Sequence, residues 1–301
     1  MRQIEADLVE AVEFPRKIQD GTFWIKAAIL GLLIGYLYYR ILFGLAINWW
    51  TDPNFSHGFL IPIFSGLVVW QKRKQLKALK PKPAVFGLAV IAGSLVILIL
   101  GVLGAEFFLS RSSFVFLLAG LLIYFLGWSY FRVLLFPWAF LFFMIPIPVI
   151  IFNQIAFPLQ FLAAHMASSL LSSIGVPVLR EGNIIQLPTM TLEVAEACSG
   201  IRSLMSLGAL AVIFGYLVES RSLPRIILAL ASIPIAVAAN GLRIMGTGLL
   251  GNYWDPDKAQ GFFHEFQGWV IFVISLVMLF AVQVVMRWFS SVGSTQKGNK
   301  P

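Results

Sequence analysis

The chain has 301 residues, 59% of them hydrophobic and 12% charged, and its mean hydropathy is +0.86. Soluble domains carry roughly a quarter charged residues, so the composition excludes that class and points to an integral membrane protein surrounded by the lipid bilayer. The net charge of +8 comes from short basic clusters between apolar runs, the pattern of cytoplasmic membrane loops rather than of a nucleic-acid binder.

Residues 1–20 are polar and mixed in charge, with no short apolar core before a small-residue cleavage site, so they read as a cytoplasmic N-terminal tail. A first span is expected over 21–44, with Arg40 snorkelling near its outer end. After a loop over 45–56 comes 57–70, short for a span and carrying Pro62. Behind it, QKRKQLKALKPKP at 71–83 holds six Lys or Arg and no acid. That cluster is the strongest orientation marker in the chain and puts its loop in the cytoplasm.

A third span is expected at 84–103, a loop around Glu106 and Arg111, a fourth span at 113–128 and a fifth at 133–151. IPIP, with Pro146 and Pro148, should break the helix there. Residues 153–175 are interrupted by Asn153, Gln154, Pro158, Gln160 and His165, and read as an interfacial or re-entrant amphipathic helix on the outer surface. The stretches 183–187 and 189–194 alternate and are β-branched, which predicts a short extracytoplasmic β-like element. Spans at 199–218, 223–250 and 266–288 follow, then a cytoplasmic tail at 289–301. The expected fold is therefore an all-α polytopic membrane protein of about eight spans, one multi-spanning domain over 21–288, with both termini inside. On this arrangement 16 of the 22 Lys and Arg lie on the cytoplasmic side.

Loop charge alone sets three distant polar residues toward one aqueous face. Cys198, the only cysteine, falls at the outer start of the sixth span, with no partner for a disulfide and none at zinc spacing. Arg243 lies in the outer part of the seventh span, and His264 at the outer start of the eighth. A helix N-terminus and a nearby cation both favour a thiolate. Arg202 supplies such a cation one turn below Cys198, and is as well explained by a structural pair with Glu193 or Glu196. A guanidinium also binds an oxyanion, and an imidazole moves protons. Together the three residue types describe acyl transfer. Asn240, three residues before Arg243, can orient it, and His57 sits at an outer boundary as a substrate contact or structural support. No metal or cofactor is expected, since Asp255, Asp257 and Glu265 beside His264 read as solvated loop acids.

The chain resembles the exosortase and archaeosortase family of bacterial and archaeal membrane enzymes. The resemblance rests on EACSGIRSL at 196–204, NGLRI at 240–244 and His264, with NFSHGFLIP at 54–62 and REGNIIQLP at 180–188 as flanking segments. It implies that Cys198, Arg243 and His264 form a catalytic triad in the cytoplasmic membrane, with the active site facing outward. It implies substrates that are exported proteins ending in a Pro-Glu-Pro-like (PEP-CTERM) motif, a transmembrane helix and a basic cluster. Cleavage through a thioester, with transfer to water, a surface polysaccharide or another amine acceptor, would make the chain a thiol protease and transpeptidase. On this reading the β-like segment holds an extended peptide by strand pairing. A second reading of the same cations is a polysaccharide transporter or assembly component, which would have no use for the cysteine.

Overall fold

A computed structural model describes residues 21–194, 200–254 and 262–297, with no side-chain description at 21–23, 53, 200–203, 262–268 and 289–297. The elements in order are α1 (Gly21–Thr51), a 3-10 helix (Pro53–Phe59), α2 (Leu60–Gln71), α3 (Arg73–Ala78), α4 (Phe86–Leu103) and α5 (Phe107–Phe125). Then come α6 (Trp128–Phe140), a second 3-10 helix (Leu141–Met144), α7 (Val149–Ser173), β1 (Leu179–Glu181), β2 (Ile184–Gln186) and β3 (Thr191–Glu193). The last three are α8 (Gly200–Val218), α9 (Ser222–Tyr253) and α10 (Phe262–Lys297).

Among the described residues, six helices are long and apolar enough to cross a membrane by length and composition: α1, α4, α5, α7, α9 and α10. Trp128–Met144 and Leu204–Val218 form shorter apolar helices. The protein is thus a multi-pass membrane protein, but α2, expected as a span, is a 12-residue helix that does not reach that length. The region expected to lie on the surface, 153–175, forms part of the 25-residue α7, which meets the same length and apolarity criteria as the others.

Two boundaries differ from expectation for physical reasons. α1 continues through the expected loop to Thr51, which leaves Arg40 well inside the helix, where its Nε donates to the Tyr39 hydroxyl at 3.0 Å. The expected loop around Glu106 and Arg111 is instead the first turn and a half of α5. Glu106 caps it, accepting from the Leu109 N–H at 2.7 Å. Ser110, Arg111, Ser112 and Ser113 are buried, because in a bilayer the polar face of a helix turns inward. Arg111 donates to the Asn48 carboxamide at 3.0 Å with that amide suitably turned, and Ser113 bonds the Tyr38 hydroxyl at 3.0 Å.

α4 and α5 form the tightest hairpin. A Cβ on Gly87 would fall on the backbone of Tyr124, and one on Gly120 would stand 2.9 Å from the Ile91 nitrogen. The missing side chains are what lets the two backbones touch. A core joins α1, α2, α5, α6 and α8 through Leu45, Ile61, Phe64, Val115, Phe140 and Ala209. A second core joins α8, α9 and α10 through Leu207, Ala211, Leu228, Ile235 and Leu279.

The sheet is antiparallel in the order β1-β2-β3, with Ile185 opposite both Arg180 and Leu192. β2 and β3 match the expected β-like element. β1 adds a strand ahead of it, in a polar LRE segment with no apolar alternation. Ile185, Leu187, Leu192 and Val194 pack on Ala163, Ala167 and Leu171 of α7 and on Ile244 of α9.

Candidate active site

The site is organised by a hairpin and its return helix. α8 and α9 are joined by the short turn Glu219–Arg221. At that turn Glu219 accepts from Gln283 Nε2 and from Arg287 Nε, both at 3.0 Å and both on α10. Arg287 also donates to the Val218 carbonyl at 2.7 Å, and Arg225 Nε of α9 donates to the Glu219 carbonyl at 2.7 Å. The Arg225 guanidinium lies 4.7 Å from the Tyr216 ring centroid. These bonds clasp one end of α8, α9 and α10. The Gln283 hydrogen bond, followed by those of Arg287, holds the Glu219 carboxyl below the usual carboxylate range against the opposing effect of burial.

Helix rise then sets the height of the other end. At about 1.5 Å per residue, Gly200 stands about 27 Å along α8 from Val218, and Arg243 about 32 Å along α9 from Ser222. His264 stands about 29 Å along α10 from Gln283 by the same measure. All three backbone positions therefore lie one hydrocarbon thickness, roughly 30 Å, from the clasp.

Arg243 is 5% exposed, and Asn240, Ile244, Thr247, Gly248 and Gly251 are buried with it. Their spacing puts them on one stripe of α9 that faces the protein interior. Asn240 thus shares the buried face of Arg243, as the sequence suggested. The Thr247 hydroxyl donates to the Arg243 carbonyl at 3.0 Å. Beside the stripe Gly241 lies against Met166 and Ala163 of α7, and within it Gly248 lies between Leu171 and Leu187. The sheet and α7 therefore reach the turn of α9 that carries Arg243 and Ile244.

His57 is 8% exposed, and its Nδ1 is 3.4 Å from the hydroxyl of Ser206 on α8. Next to it, Trp49 Nε1 donates to the Met144 carbonyl at 2.9 Å, and a Cβ on Gly58 would collide with the Trp49 indole. His57 and Gly58, the buried centre of NFSHGF, therefore brace the end of α1, the second 3-10 helix and α8. Of the other sequence-derived candidates, Cys198 and Glu196 lie outside the described residues. Arg202 and His264 lie within α8 and α10 without described side chains. β3 ends at Glu193, and Val194 still bonds back to the sheet, so five residues of chain, 195–199, connect the sheet to α8.

Sequence reasoning missed Ser206 and the Glu219 clasp. Gln283 carried a signal for the latter, as an amide inside an apolar helix, where polar side chains seek partners.

A family model described as transmembrane exosortase matches residues 49–281. No curated protein and no solved structure matches the chain.

Proposed function

Since the chain belongs to the transmembrane exosortase family, we propose that it is a membrane cysteine peptidase and transpeptidase acting on the C-terminal sorting signal of exported proteins. Its substrates carry a Pro-Glu-Pro-like motif, a transmembrane helix and a basic tail. Cys198 attacks the scissile carbonyl at the extracytoplasmic membrane surface, and the carbon–sulfur bond forms as the carbonyl becomes an oxyanion. The Arg243 guanidinium, charged at any burial, stabilises that oxyanion. His264 takes the thiol proton as Cys198 attacks and gives it to the leaving amine as the carbon–nitrogen bond breaks. The thioester is then resolved by water or by an acceptor amine, which returns the thiol. Arg202 supports the thiolate, and Asn240 and Glu196 orient the cations.

The observation that carries this reading is the common height of the start of α8, Arg243 and His264 above the Glu219 clasp. That common height supports a site at one boundary of the bilayer, where a membrane-anchored peptide can meet water. In the test, a tagged reporter protein ending in such a signal is followed by electrophoresis in cells making the wild-type chain or Cys198→Ala. Loss of the shortened product in Cys198→Ala is expected, and undiminished processing would sink the nucleophile assignment.

A further inference from the structure

β3 pairs with β2 along one side and, among the described residues, with no strand along the other. The register decides which of its backbone groups face that open side. Leu187 N–H donates to the Met190 carbonyl and Val194 N–H to the Asn183 carbonyl, both at 2.9 Å. In an antiparallel ladder such bonded pairs recur at every second residue. Met190, Leu192 and Val194 therefore turn their N–H and C=O groups toward β2, and Thr191 and Glu193 turn theirs outward. The side chains follow the same alternation: Leu192 and Val194 are buried, whereas Thr191 and Glu193 are exposed.

We infer that the outward N–H and C=O groups of Thr191 and Glu193 pair with the extended backbone of the substrate, which adds to the sheet as a fourth strand. This rests on the peptidase reading above and names the surface by which that site takes its peptide. The occupant is polypeptide because donors and acceptors alternating at a spacing of about 6.8 Å, two strand residues, complement another extended backbone. It is the substrate rather than an unrelated chain because Cys198 follows Glu193 by only five positions in the chain. At about 3.3 Å per residue, that chain length keeps the paired stretch within roughly 17 Å of the nucleophile.

The sheet is suited to fix that bond in space. Leu192 and Val194 are anchored in the same core as Ile244, the residue after Arg243, so a strand added to β3 is indexed to the turn that carries the guanidinium. The opposite edge is dressed differently, since the Arg180 guanidinium of β1 donates to the Gly182 carbonyl at 2.9 Å and covers the turn with charge, a common protection of sheet edges. Proline at alternate positions suits the β3 edge as well. In a Pro-x-Pro segment both missing N–H groups lie on one side of the strand, and the middle residue keeps its N–H and C=O for β3. The added strand then presents a proline edge to solvent, and the sheet stops growing there.

The first arm of the test leaves the enzyme unaltered. The full-length protein is reconstituted in liposomes with a synthetic substrate carrying Pro-Glu-Pro, an apolar helix and a basic tail, and kcat/KM is measured while single backbone N–H groups across and beside the motif are N-methylated. Losses of about five- to tenfold, the scale of one lost hydrogen bond, are expected at every second position, with little change between them. Thr191→Pro and Glu193→Pro should lower kcat/KM similarly, because each removes an outward donor and leaves the inner ladder intact. A flat N-methylation profile overturns the strand pairing, as does wild-type processing by both proline variants. Cys198→Ala separates the two levels: an inactive Cys198→Ala with a flat profile removes the strand and keeps the peptidase, while an active one removes both.

Discussion

Glu219→Ala removes the acceptor at the centre of the clasp, and its cost can be built from the bonds it breaks. Gln283 is 3% exposed, so its amide loses its partner away from water, which costs about 1–3 kcal/mol. The Arg287 half contributes less. That side chain is 58% exposed and keeps its bond to the Val218 carbonyl, so the lost ion pair adds about 0–1 kcal/mol. The bond from Arg225 goes to the Glu219 backbone and survives. The sum, about 1–4 kcal/mol, lowers the melting midpoint of the detergent-solubilised protein by roughly 2–16 °C at the 2–4 °C per kcal/mol of large chains. Glu219→Gln retains an oxygen for Gln283 and should lose less than half as much. Because the clasp fixes the far ends of α8, α9 and α10, Glu219→Ala should also lower processing of the reporter without touching it. A Glu219→Ala melting within about 1 °C of wild type would refute the reasoning, as would a Glu219→Gln equally damaged.

The same carboxylate fixes a pH dependence. Its folded pKa is depressed, so its stabilisation is present above the unfolded value, about 4.3, and is lost as pH falls through the folded one. The advantage of wild type over Glu219→Gln in thermal melts should hold at neutral pH and vanish on acidification. Gly87→Ala drives a methyl onto the Tyr124 backbone and should cost about 1–3 kcal/mol, whereas Gly93→Ala, with nothing within 4 Å of the new atom, should melt at or slightly above wild type. Arg243→Lys keeps the charge and loses the planar donor fork, so reporter processing should fall at least about tenfold with normal membrane yield. In a Cys198→Ala background an impermeant thiol reagent should label Thr51→Cys and spare Lys74→Cys.

Much of the fold was legible because apolar length in a membrane protein is itself structure. α4, α9 and the body of α10 fall where hydropathy puts them, and Pro146 and Pro148 end the preceding helix as expected. The errors share one cause: polar residues in a bilayer face inward. Arg111 and its serines look like a loop in the sequence and are a buried helix face. Contacts between remote residues were out of reach as well. His57 meets Ser206 across 149 positions, and no local pattern announces that. Glu219 counted only as one acid in a basic turn, because its partners arrive from another helix. Arg243 was legible since a lone guanidinium in a span demands an explanation, and its buried stripe supplies the setting.

The clasp also imposes an order in time. α4 and α5 are neighbours in the chain and can lock glycine to backbone as soon as both have emerged. Gln283 and Arg287 come 64 and 68 residues after Glu219. A chain still being synthesised therefore carries α8 and α9 without their third partner until α10 has emerged. The hairpin that bears Arg243 is inserted before the helix that fixes its register, so insertion of α10 is the step that closes the assembly.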